Sequence, residues 1–278
     1  MAGAVVVFDF DATIIDGDGD LWVVNELGLN HLFTQLRSTL PHNLLMDRMM
    51  KELHSQGKTI EEIADCLKQI PMRPSIVSAI KSAHASGCEL RILSDANVFF
   101  IETILKHHGL LDCFHEINCN PSFVDEEGRL RILPYHDFNS SSHACNLCPP
   151  NMCKGLVMET IRDSVSADGK KQVMIYVGDG TPDFCAGLKL EEGDYLIPRN
   201  NFPIWELICA NPVLIRANIH EWNTWEELAA LLINTTNTSF IEDLDKSTTS
   251  AATARDCKIE DTNSTISTHS NGTLRVPH

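Results

Sequence analysis

Short apolar runs alternate with amphipathic stretches along most of this chain. Helical stretches separate the apolar runs, which are typical of buried strands. Strands that alternate with helices predict a doubly wound parallel sheet, that is, an α/β fold. The predicted strands are residues 4–10, 88–93, 114–119, 173–178, 194–197 and 213–216.

The long segment between the first two predicted strands has a different pattern. It contains no convincing strand, but apolar residues recur at helical spacing in residues 21–27, 44–54 and 60–67. This segment therefore predicts a small helical cap inserted into the core. Further on, residues 120–138 carry the turn Asp125-Glu126-Glu127-Gly128 between two short apolar runs and predict a β-hairpin rather than a second cap.

The last part of the chain is polar. From about Asn234 onward Ser, Thr, Asn and Asp dominate, and aromatic residues are absent after Phe240. Such a segment buries too little apolar surface to order itself. We therefore divide the chain into a catalytic core (1–17 and 85–233), a helical cap (18–84) and a disordered polar tail (234–278).

Two carboxylates follow the first predicted strand, at Asp9 and Asp11. Where the chain leaves the sheet, both acids can converge beyond the carboxyl end of the strand, which is where open α/β sheets bind ligands. One carboxylate can act as a nucleophile while the other transfers protons, and a divalent cation can hold the acids and an anionic substrate. An isolated Asp-x-Asp is equally compatible with a polar turn, so the pair needs partners elsewhere.

Further polar residues occur in order after the later strands. Ser94 closes the second predicted strand, Lys154 lies well beyond it, and Gly178-Asp179-Gly180 with Asp183 follows the fourth. A hydroxyl and an ammonium can hold the equatorial oxygens of a phosphoryl group, and carboxylates supply the oxygen ligands that Mg²⁺ prefers. Each residue alone has an ordinary structural explanation, but their joint order indicates phosphoryl transfer with Mg²⁺ as the cofactor.

With these motifs the sequence resembles the haloacid dehalogenase superfamily of aspartate-nucleophile phosphatases. The resemblance covers about the first 230 residues and implies a haloacid-dehalogenase-like Rossmannoid core with a helical cap. Longer stretches are similar to the phosphoethanolamine/phosphocholine phosphatase subfamily, at residues 9–20, 92–97, 148–155 and 176–185. Residues 46–63 resemble its plant members, which are described as pyrophosphatase or thiamine monophosphate phosphatase.

The resemblance implies a catalytic role for four residues. It implies that Asp9 attacks phosphorus to form an aspartyl-phosphate, and that Asp11 protonates the leaving oxygen and then activates water. It places Ser94 and Lys154 on the phosphoryl oxygens. Ala12 is a small departure, since relatives usually carry Lys or another polar residue there.

The same resemblance implies the ligands of Mg²⁺. They are the Asp9 carboxylate, the Asp11 backbone carbonyl and Asp179, with Asp183 bound through water or supporting the other ligands. Pro182 stands where relatives carry a smaller residue. We expect this proline to stiffen the loop that carries Asp183 and so to affect the affinity for the metal.

Substrate choice is expected to depend on residues outside the four motifs. Asp20 and Asp95 follow the first two strands and can face a cationic head group, whereas Asp16 and Asp18 are compatible with a solvated hinge. Trp22 either adds a cation–π contact or belongs to the core of the cap. The leading substrate is a small phosphomonoester such as phosphoethanolamine or phosphocholine, with pyrophosphate or thiamine monophosphate as alternatives. A receiver-type signalling module or a phosphate-binding pseudoenzyme is less favoured, because neither accounts for the helical insertion together with four intact motifs.

Charge and composition limit the partners. The 278 residues include 22 Lys and Arg against 38 Asp and Glu, a net charge of −16, without a large basic cluster. This argues against nucleic acid or an anionic membrane as a partner. No run approaches the roughly 18 to 20 apolar residues of a membrane span, and no secretory signal is recognisable. We expect a cytoplasmic enzyme for a small phosphorylated metabolite, and the oligomeric state stays open.

The chain contains ten cysteines, which we expect to be reduced thiols. Cys145, Cys148 and Cys153 lie close together, with His143 nearby. A closed zinc site has four ligands, and a single Cys-x-x-Cys is a weak signal. Two interpretations stay open for this group: a zinc site, or partly buried thiols that shape their loop. The other cysteines, including Cys185, are predicted to be core residues.

Overall fold

A computed structural model describes residues 4–137, 143–166 and 172–242. The strands in these residues are β1 (Val5–Phe8), β2 (Glu89–Asn97), β3 (Phe114–Asn120), β4 (Ser122–Val124), β5 (Leu130–Ile132), β6 (Met174–Gly178), β7 (Tyr195–Pro198) and β8 (Asn218–Ile219). Six of them form one parallel sheet in the order β3-β2-β1-β6-β7-β8. The first strand of the chain therefore lies inside the sheet, with the chain winding outward to both edges.

Helices cover both faces of the sheet. They are α1 (Gly19–Glu26), α2 (Asn30–Leu36), α3 (His42–Ser55), α4 (Ile60–Leu67), α5 (Pro74–Ala85), α6 (Val98–His107), α7 (Lys154–Ser166), α8 (Thr181–Gly187), α9 (Pro203–Ala210) and α10 (Trp225–Glu242), with a short 3₁₀ turn at Leu111–Cys113. Alternate strand residues point to opposite faces. Val6 and Phe8 accordingly pack with α5, α6 and α10, whereas Val5 and Val7 pack with α7, α8 and α9. The predicted doubly wound α/β fold is confirmed.

Four helices inserted between β1 and β2, α1 to α4, pack on one another, on β5 and on α6. We call them the inserted helices. Their predicted segments match α1, α3 and α4, and a capping box between Thr59 and Glu62 sets the start of α4. The seven-residue α2 is too short for its apolar spacing to be recognised. α5 lies within the predicted cap range but packs mainly on α10 and also contacts β2. The division into core, cap and tail stays a prediction.

The predictions of the hairpin and of the last strand compare differently with the structure. β4 and β5 pair antiparallel, with Ser122 opposite Ile132, as the turn sequence predicts. The strand predicted at 213–216 is wrong: this segment is a turn and loop in which Val213 is 88 % exposed, and the pairing with β7 is made by β8. Apolar character alone placed the strand a few residues too early.

The polar run after Asn234 begins as helix, not as a disordered tail. α10 continues to Glu242. The hydroxyls of Thr235 and Thr236 donate to the carbonyls of Leu231 and Leu232, both at 2.7 Å. Such back-bonding satisfies the hydroxyls within the helix, so both threonines are buried there. Residues 243–278 of the predicted tail lie outside the described residues. None of the described helices has the length and apolar character needed to cross a bilayer.

Candidate active site

The candidate site lies at the carboxyl edge of the sheet, near its middle. β1 pairs in parallel with β2 on one side and with β6 on the other. Asp9 after β1, Ser94 in the last part of β2 and Asp179 after β6 therefore meet at one edge, where open parallel sheets bind ligands. Lys154 begins α7, and Asp183 lies in the first turn of α8.

These residues surround a cavity of about 220 Å³. All eight residues predicted for the site border it: Asp9, Asp11, Asp20, Ser94, Asp95, Lys154, Asp179 and Asp183. The remaining lining residues are Ala12, Asp18, His42, Ala96, Gly180 and Pro182. Seven aspartates thus face one lysine and one histidine, and the cavity is strongly acidic.

Lys154 is the cation among the core carboxylates. Its Nζ lies 2.7 Å from Asp9 Oδ1 and 2.7 Å from Asp183 Oδ1, and its side chain is 3 % exposed. Burial opposes the charged ammonium, but the two carboxylates outweigh it and raise the pKa of Lys154. The lysine is therefore held charged and fixed at the cavity wall, where an ammonium can bind phosphoryl oxygens.

Asp183 uses both of its carboxylate oxygens within the protein. Oδ1 accepts from Lys154 and, at 2.6 Å, from the Tyr176 hydroxyl. Oδ2 accepts from the backbone amides of Asp179 and Gly180, at 3.0 and 2.7 Å. Asp183 is also completely buried. It is therefore placed to orient Lys154 and the Asp179 loop rather than to bind a metal directly.

Two residues allow the Asp183 loop to close this tightly. A Cβ atom at Gly178 would overlap the Asp183 carboxylate, so the close approach requires glycine. Pro182 lies in the first turn of α8, where its fixed φ and missing N–H suit a helix start. The proline therefore fits the loop without distorting it.

Three core carboxylates concentrate negative charge at one point of the cavity, and those of Asp9 and Asp179 are the ones available to bind a cation directly. Oxygens of Asp9, Asp179 and Asp183 lie within 4.8 Å of one another. Burial and then repulsion from Asp183 raise the pKa of Asp9, and the same two causes raise that of Asp179 to about 6. One ammonium among three carboxylates leaves excess negative charge, so a divalent cation with a preference for oxygen fits this site.

Asp11 borders the same cavity. Its Oδ1 accepts from the Gly19 backbone amide at 2.7 Å. Burial, and then the charges of Asp18 and Asp20, raise the pKa of Asp11 well above its usual value. A raised pKa favours the protonated form of Asp11, which is the form that can donate a proton to a leaving oxygen.

The inserted helices contribute a charged pair to the cavity. His42 Nε2 lies 2.8 Å from Asp20 Oδ2, and this hydrogen bond is the main reason why the pKa of His42 rises to about 9. The other oxygen of Asp20, Oδ1, is buried without a hydrogen-bond partner among the described residues. Asp18 caps α1 by accepting from the Leu21 amide at 2.9 Å. The unpartnered oxygen indicates a place for a donor group of a ligand.

Asp95 is fixed by two asparagines. Its Oδ1 accepts from Asn151 Nδ2 at 2.5 Å and from Asn120 Nδ2 at 3.3 Å, and the two asparagine side chains bond each other at 3.0 Å. Burial raises the pKa of Asp95, while the Asn151 bond opposes that shift. The network ties β2, the end of β3 and the loop before α7 together at the cavity.

Arg199 holds the loop that follows Asp9. Its Nη1 donates to the carbonyl of Ala12, a residue in the left-handed region with φ 50°, at 2.5 Å. Its guanidinium lies 4.9 and 4.3 Å from the ring centres of Trp222 and Trp225. Trp225 in turn donates to the Thr13 carbonyl at 2.9 Å. These contacts fix the turn between the β1 strand and the inserted helices.

Sequence reasoning missed several of these side chains. Tyr176 looks like an ordinary apolar residue of its strand, His42 is isolated in the sequence, and Arg199 belongs to no motif. Trp22 packs in the apolar core and donates from Nε1 to the Cys66 carbonyl at 3.1 Å, outside the cavity. Of the two interpretations offered for Trp22, the core position is the correct one. The Ser94 hydroxyl borders the cavity and accepts from the Ala96 amide at 3.1 Å.

Residues 4–236 match the model of the family described as Putative Phosphatase. The chain belongs to this family. The predicted haloacid-dehalogenase phosphatase, a hydrolase of phosphate esters, is thereby confirmed. Membership also removes the receiver-type signalling module as an alternative.

Two relatives of more than 50 % identity come from a plant. The chain is 52 % identical over 255 residues to "Inorganic pyrophosphatase 2" of Arabidopsis thaliana, an alignment that covers 92 % of this chain and 91 % of that protein. It is 55 % identical over 238 residues to the "Thiamine phosphate phosphatase-like protein" of the same plant, covering 86 % and 97 %. The human "Phosphoethanolamine/phosphocholine phosphatase" is 33 % identical over 230 residues, covering 79 % and 84 %.

The fold also occurs in solved structures. A substrate-bound phosphoserine phosphatase complex superposes with a TM-score of 0.55 at 16 % identity, covering 84 % of this chain and 99 % of that chain. At this identity the likeness concerns the fold alone. It agrees with the α/β fold described above.

Proposed function

We propose that this phosphatase hydrolyses a small phosphorylated metabolite with Mg²⁺, through an aspartyl-phosphate on Asp9. The observation that carries the proposal is the contact of Lys154 Nζ with Asp9 and Asp183, both at 2.7 Å, beside Asp179 and Asp11 in one cavity. A nucleophile, an ammonium for the phosphoryl oxygens, a cation site and a protonated carboxyl group are the parts that this chemistry needs.

Each residue has a defined role in this proposal. The Asp9 carboxylate attacks phosphorus, while Lys154 and Ser94 bind the phosphoryl oxygens. Asp11 gives its proton to the leaving oxygen and afterwards takes one from the water that hydrolyses the aspartyl-phosphate. Because charge is spread over the phosphoryl oxygens in the transition state, fixed donors of this kind supply much of the rate enhancement.

Asp9 and Asp179 would hold the metal, with Asp183 supporting Asp179. When bound, Mg²⁺ neutralises these carboxylates and offsets the charge of the phosphoryl group. The raised pKa values of Asp9 and Asp179 agree with this, because both carboxylates lack sufficient positive charge from the protein itself.

The leading leaving group is a small ammonium alcohol, as in phosphoethanolamine. Asp18, Asp20 and Asp95 also border the cavity, and Asp20 Oδ1 has no donor in the described residues. A primary ammonium can donate to that oxygen, whereas the quaternary ammonium of phosphocholine offers only charge. A cavity of about 220 Å³ is also small beside the roughly 300 to 1,000 Å³ that drug-sized ligands occupy, which disfavours thiamine monophosphate.

Pyrophosphate is the second candidate. His42 is held as an imidazolium by Asp20 and faces the cavity, so it can bind the distal phosphate of pyrophosphate. The identity of 52 % to a plant protein named as an inorganic pyrophosphatase supports this candidate independently.

The deciding experiment is phosphate release from phosphoethanolamine, phosphocholine, pyrophosphate and thiamine monophosphate, compared as kcat/KM with Mg²⁺ present. We expect phosphoethanolamine to give the highest value. A preference for pyrophosphate would replace the leading candidate by the second. Undiminished turnover in EDTA, or no phosphate release with any of the four, would contradict the proposed mechanism.

A further inference from the structure

Four cysteines form a cluster behind the active-site loop. Cys145, Cys148 and Cys153 lie in the loop that precedes α7, and Cys185 lies on α8. Their Sγ atoms are all within 4.8 Å of one another. Cys185 was predicted to be an ordinary core residue, but it completes the set that the Cys-x-x-Cys pattern left with three members. The cluster is separate from the two main apolar cores.

The spacing of the sulfurs agrees with tetrahedral coordination. A tetrahedral zinc site with Zn–S bonds of about 2.3 Å has sulfur–sulfur edges of roughly 3.8 Å. Cys185 Sγ lies 3.7 Å from Cys145 Sγ and 3.9 Å from Cys153 Sγ. All four are free cysteines, and their sulfurs are too far apart for disulfides.

The backbone around the cluster also suits bound thiolates. The Gly155 amide donates to Cys185 Sγ, and the Leu156 amide donates to Cys153 Sγ. A side chain at Gly155 would collide with Cys185 Sγ, so the approach of this amide requires glycine. Amide donors of this kind orient and support metal ligands.

His143 is not part of the set. Its Nδ1 accepts from the Cys145 amide at 3.1 Å, and its Nε2 lies 3.0 Å from the Pro149 carbonyl. Both ring nitrogens are thus engaged with the backbone, which holds the loop in shape. The four ligands are all sulfurs, of the kind that closed structural zinc sites use.

We propose that Cys145, Cys148, Cys153 and Cys185 bind a structural zinc ion. This site is chemically distinct from the carboxylate site, since thiolates select zinc whereas carboxylates suit Mg²⁺. The position of this site in the fold suggests a structural role for the ion. Cys153 directly precedes Lys154, and Cys185 follows Asp183 by two residues, so the ion would fasten together the two elements whose side chains meet at 2.7 Å in the active site.

The test measures bound metal in the full-length protein. The wild type is purified with reductant and supplied zinc, passed through gel filtration and assayed by mass spectrometry for zinc. We expect about one equivalent of zinc in the wild type and its loss in Cys148→Ser and Cys185→Ser. Cys113→Ser, which changes a cysteine far from the cluster, is the matched control and should keep the ion. Asp179→Ala should also keep it, because that change affects only the carboxylate site.

A second measurement uses the wild type, so it tests the site even if the cysteine variants fail to fold. Cobalt substituted into the wild type should show the intense visible absorption of tetrahedral thiolate coordination, and zinc should displace it. Removal of the ion should lower the Tm by on the order of 5 °C or more. Less than a tenth of an equivalent of zinc in the wild type after reconstitution would overturn the proposal. It would also be overturned if Asp179→Ala lost the zinc and the two cysteine variants kept it. Neither outcome depends on which phosphate ester the enzyme hydrolyses.

Discussion

The proposed function divides the cavity into a phosphoryl end and a leaving-group end, and these two groups of residues are built differently. At the phosphoryl end, Lys154, Asp9 and Asp183 come from the sheet and its adjoining helices, and Asp183 has donors on both oxygens. At the leaving-group end, Asp20 and His42 come from the inserted helices, and one oxygen of Asp20 lacks a donor among the described residues. The first end is complete without substrate, whereas the second leaves a polar atom for the substrate to satisfy.

This difference separates chemistry from specificity. Groups that are rigid before binding are those on which the rate of phosphoryl transfer depends. A buried acceptor without a donor discriminates between ligands, because a ligand that lacks the matching donor leaves it unsatisfied. Substitutions at the phosphoryl end should therefore lower turnover of every substrate, and those at the other end should change the order of substrates.

The largest effect is expected from Asp9→Asn. The change keeps the shape of the side chain but removes the nucleophile, so kcat should fall by at least about 1,000-fold for every substrate. Asp16→Asn is the matched control, because Asp16 pairs with Arg73 outside the cavity. Circular dichroism checks that the fold is kept. If the Asp9→Asn variant kept a tenth of wild-type kcat, with contamination excluded, Asp9 would not be the nucleophile.

Asp11→Asn should differ from Asp9→Asn in kind. The variant keeps the nucleophile but cannot take a proton from water, so we expect a fall of about 100- to 10,000-fold in kcat and accumulation of phosphorylated enzyme. Acid quenching with labelled substrate detects the aspartyl-phosphate. An equal amount of label in the two variants would contradict the separate roles.

The next effect concerns the cation. Asp179→Ala removes a ligand, so activity should be lost at ordinary Mg²⁺ and recover only in part at high concentration. The measurement is a Mg²⁺ titration of kcat/KM. The position of Pro182 in the first turn of α8 replaces the expectation drawn from the sequence, so Pro182→Ala, titrated in parallel, should leave the Mg²⁺ dependence nearly unchanged. A large shift there would show that the proline itself constrains Asp183.

Asp20→Asn should have a smaller and selective effect. Loss of its charge should lower kcat/KM for phosphoethanolamine about 10- to 100-fold, because a charge-assisted bond is worth roughly 1 to 3 kcal/mol. Pyrophosphate should be spared below about pH 6.5, where His42 keeps its charge without Asp20. The comparison is the ratio of the two kcat/KM values in wild type and variant. An equal fall in kcat/KM for both substrates would indicate that Asp20 supports the fold or the chemical step rather than substrate choice.

The smallest effect on activity is expected from the pH dependence of His42. The pKa of His42 is raised from 6.5 to about 9, so its ion pair with Asp20 is fully present below about pH 6.5 and is lost as the pH rises through about 9. Between about pH 8 and 9.5, where the primary amine of the substrate stays mostly protonated, KM should rise for pyrophosphate and fall for phosphoethanolamine, because a positive charge leaves the cavity. In His42→Gln both changes should be absent. Parallel pH profiles in wild type and variant would contradict this assignment.

Much of the phosphoryl end could be predicted because its residues follow strands. A short apolar run marks a strand of a parallel sheet, and the polar residue after it must lie at the carboxyl edge, so Asp9, Ser94 and Asp179 converge in any doubly wound arrangement. Their placement around one cavity agrees with that logic, while their roles stay predictions. The outer strand at 213–216 was wrong because an exposed apolar turn gives the same local pattern as a strand.

The leaving-group end could not be predicted in the same way. His42 reaches Asp20 only through the packing of α1, α2 and α3, which no short pattern encodes. Cys185 was assigned to the core and Tyr176 lies within a predicted strand, since a buried thiol or phenol looks the same in the sequence whether or not it has a partner. The helical start of the polar tail was missed for a related reason. The polar composition suggests that burying this segment costs free energy. The hydroxyls of Thr235 and Thr236 donate to carbonyls of their own helix, which removes that cost.

The join between the core and the inserted helices has an evolutionary consequence. The chain leaves the core near Asp16 and returns near Pro71, and the Asp16 amide donates to the Pro71 carbonyl at 2.9 Å. Arg73 adds an ion pair to the Asp16 carboxylate at 2.6 Å. The points of exit and return are thus bonded to each other, so the helices between them can change in sequence without moving the sheet edge. A gene duplicate can therefore change its preference for the leaving group through substitutions in the inserted helices, while it retains Asp9, Lys154 and Asp183 from the sheet and its adjoining helices.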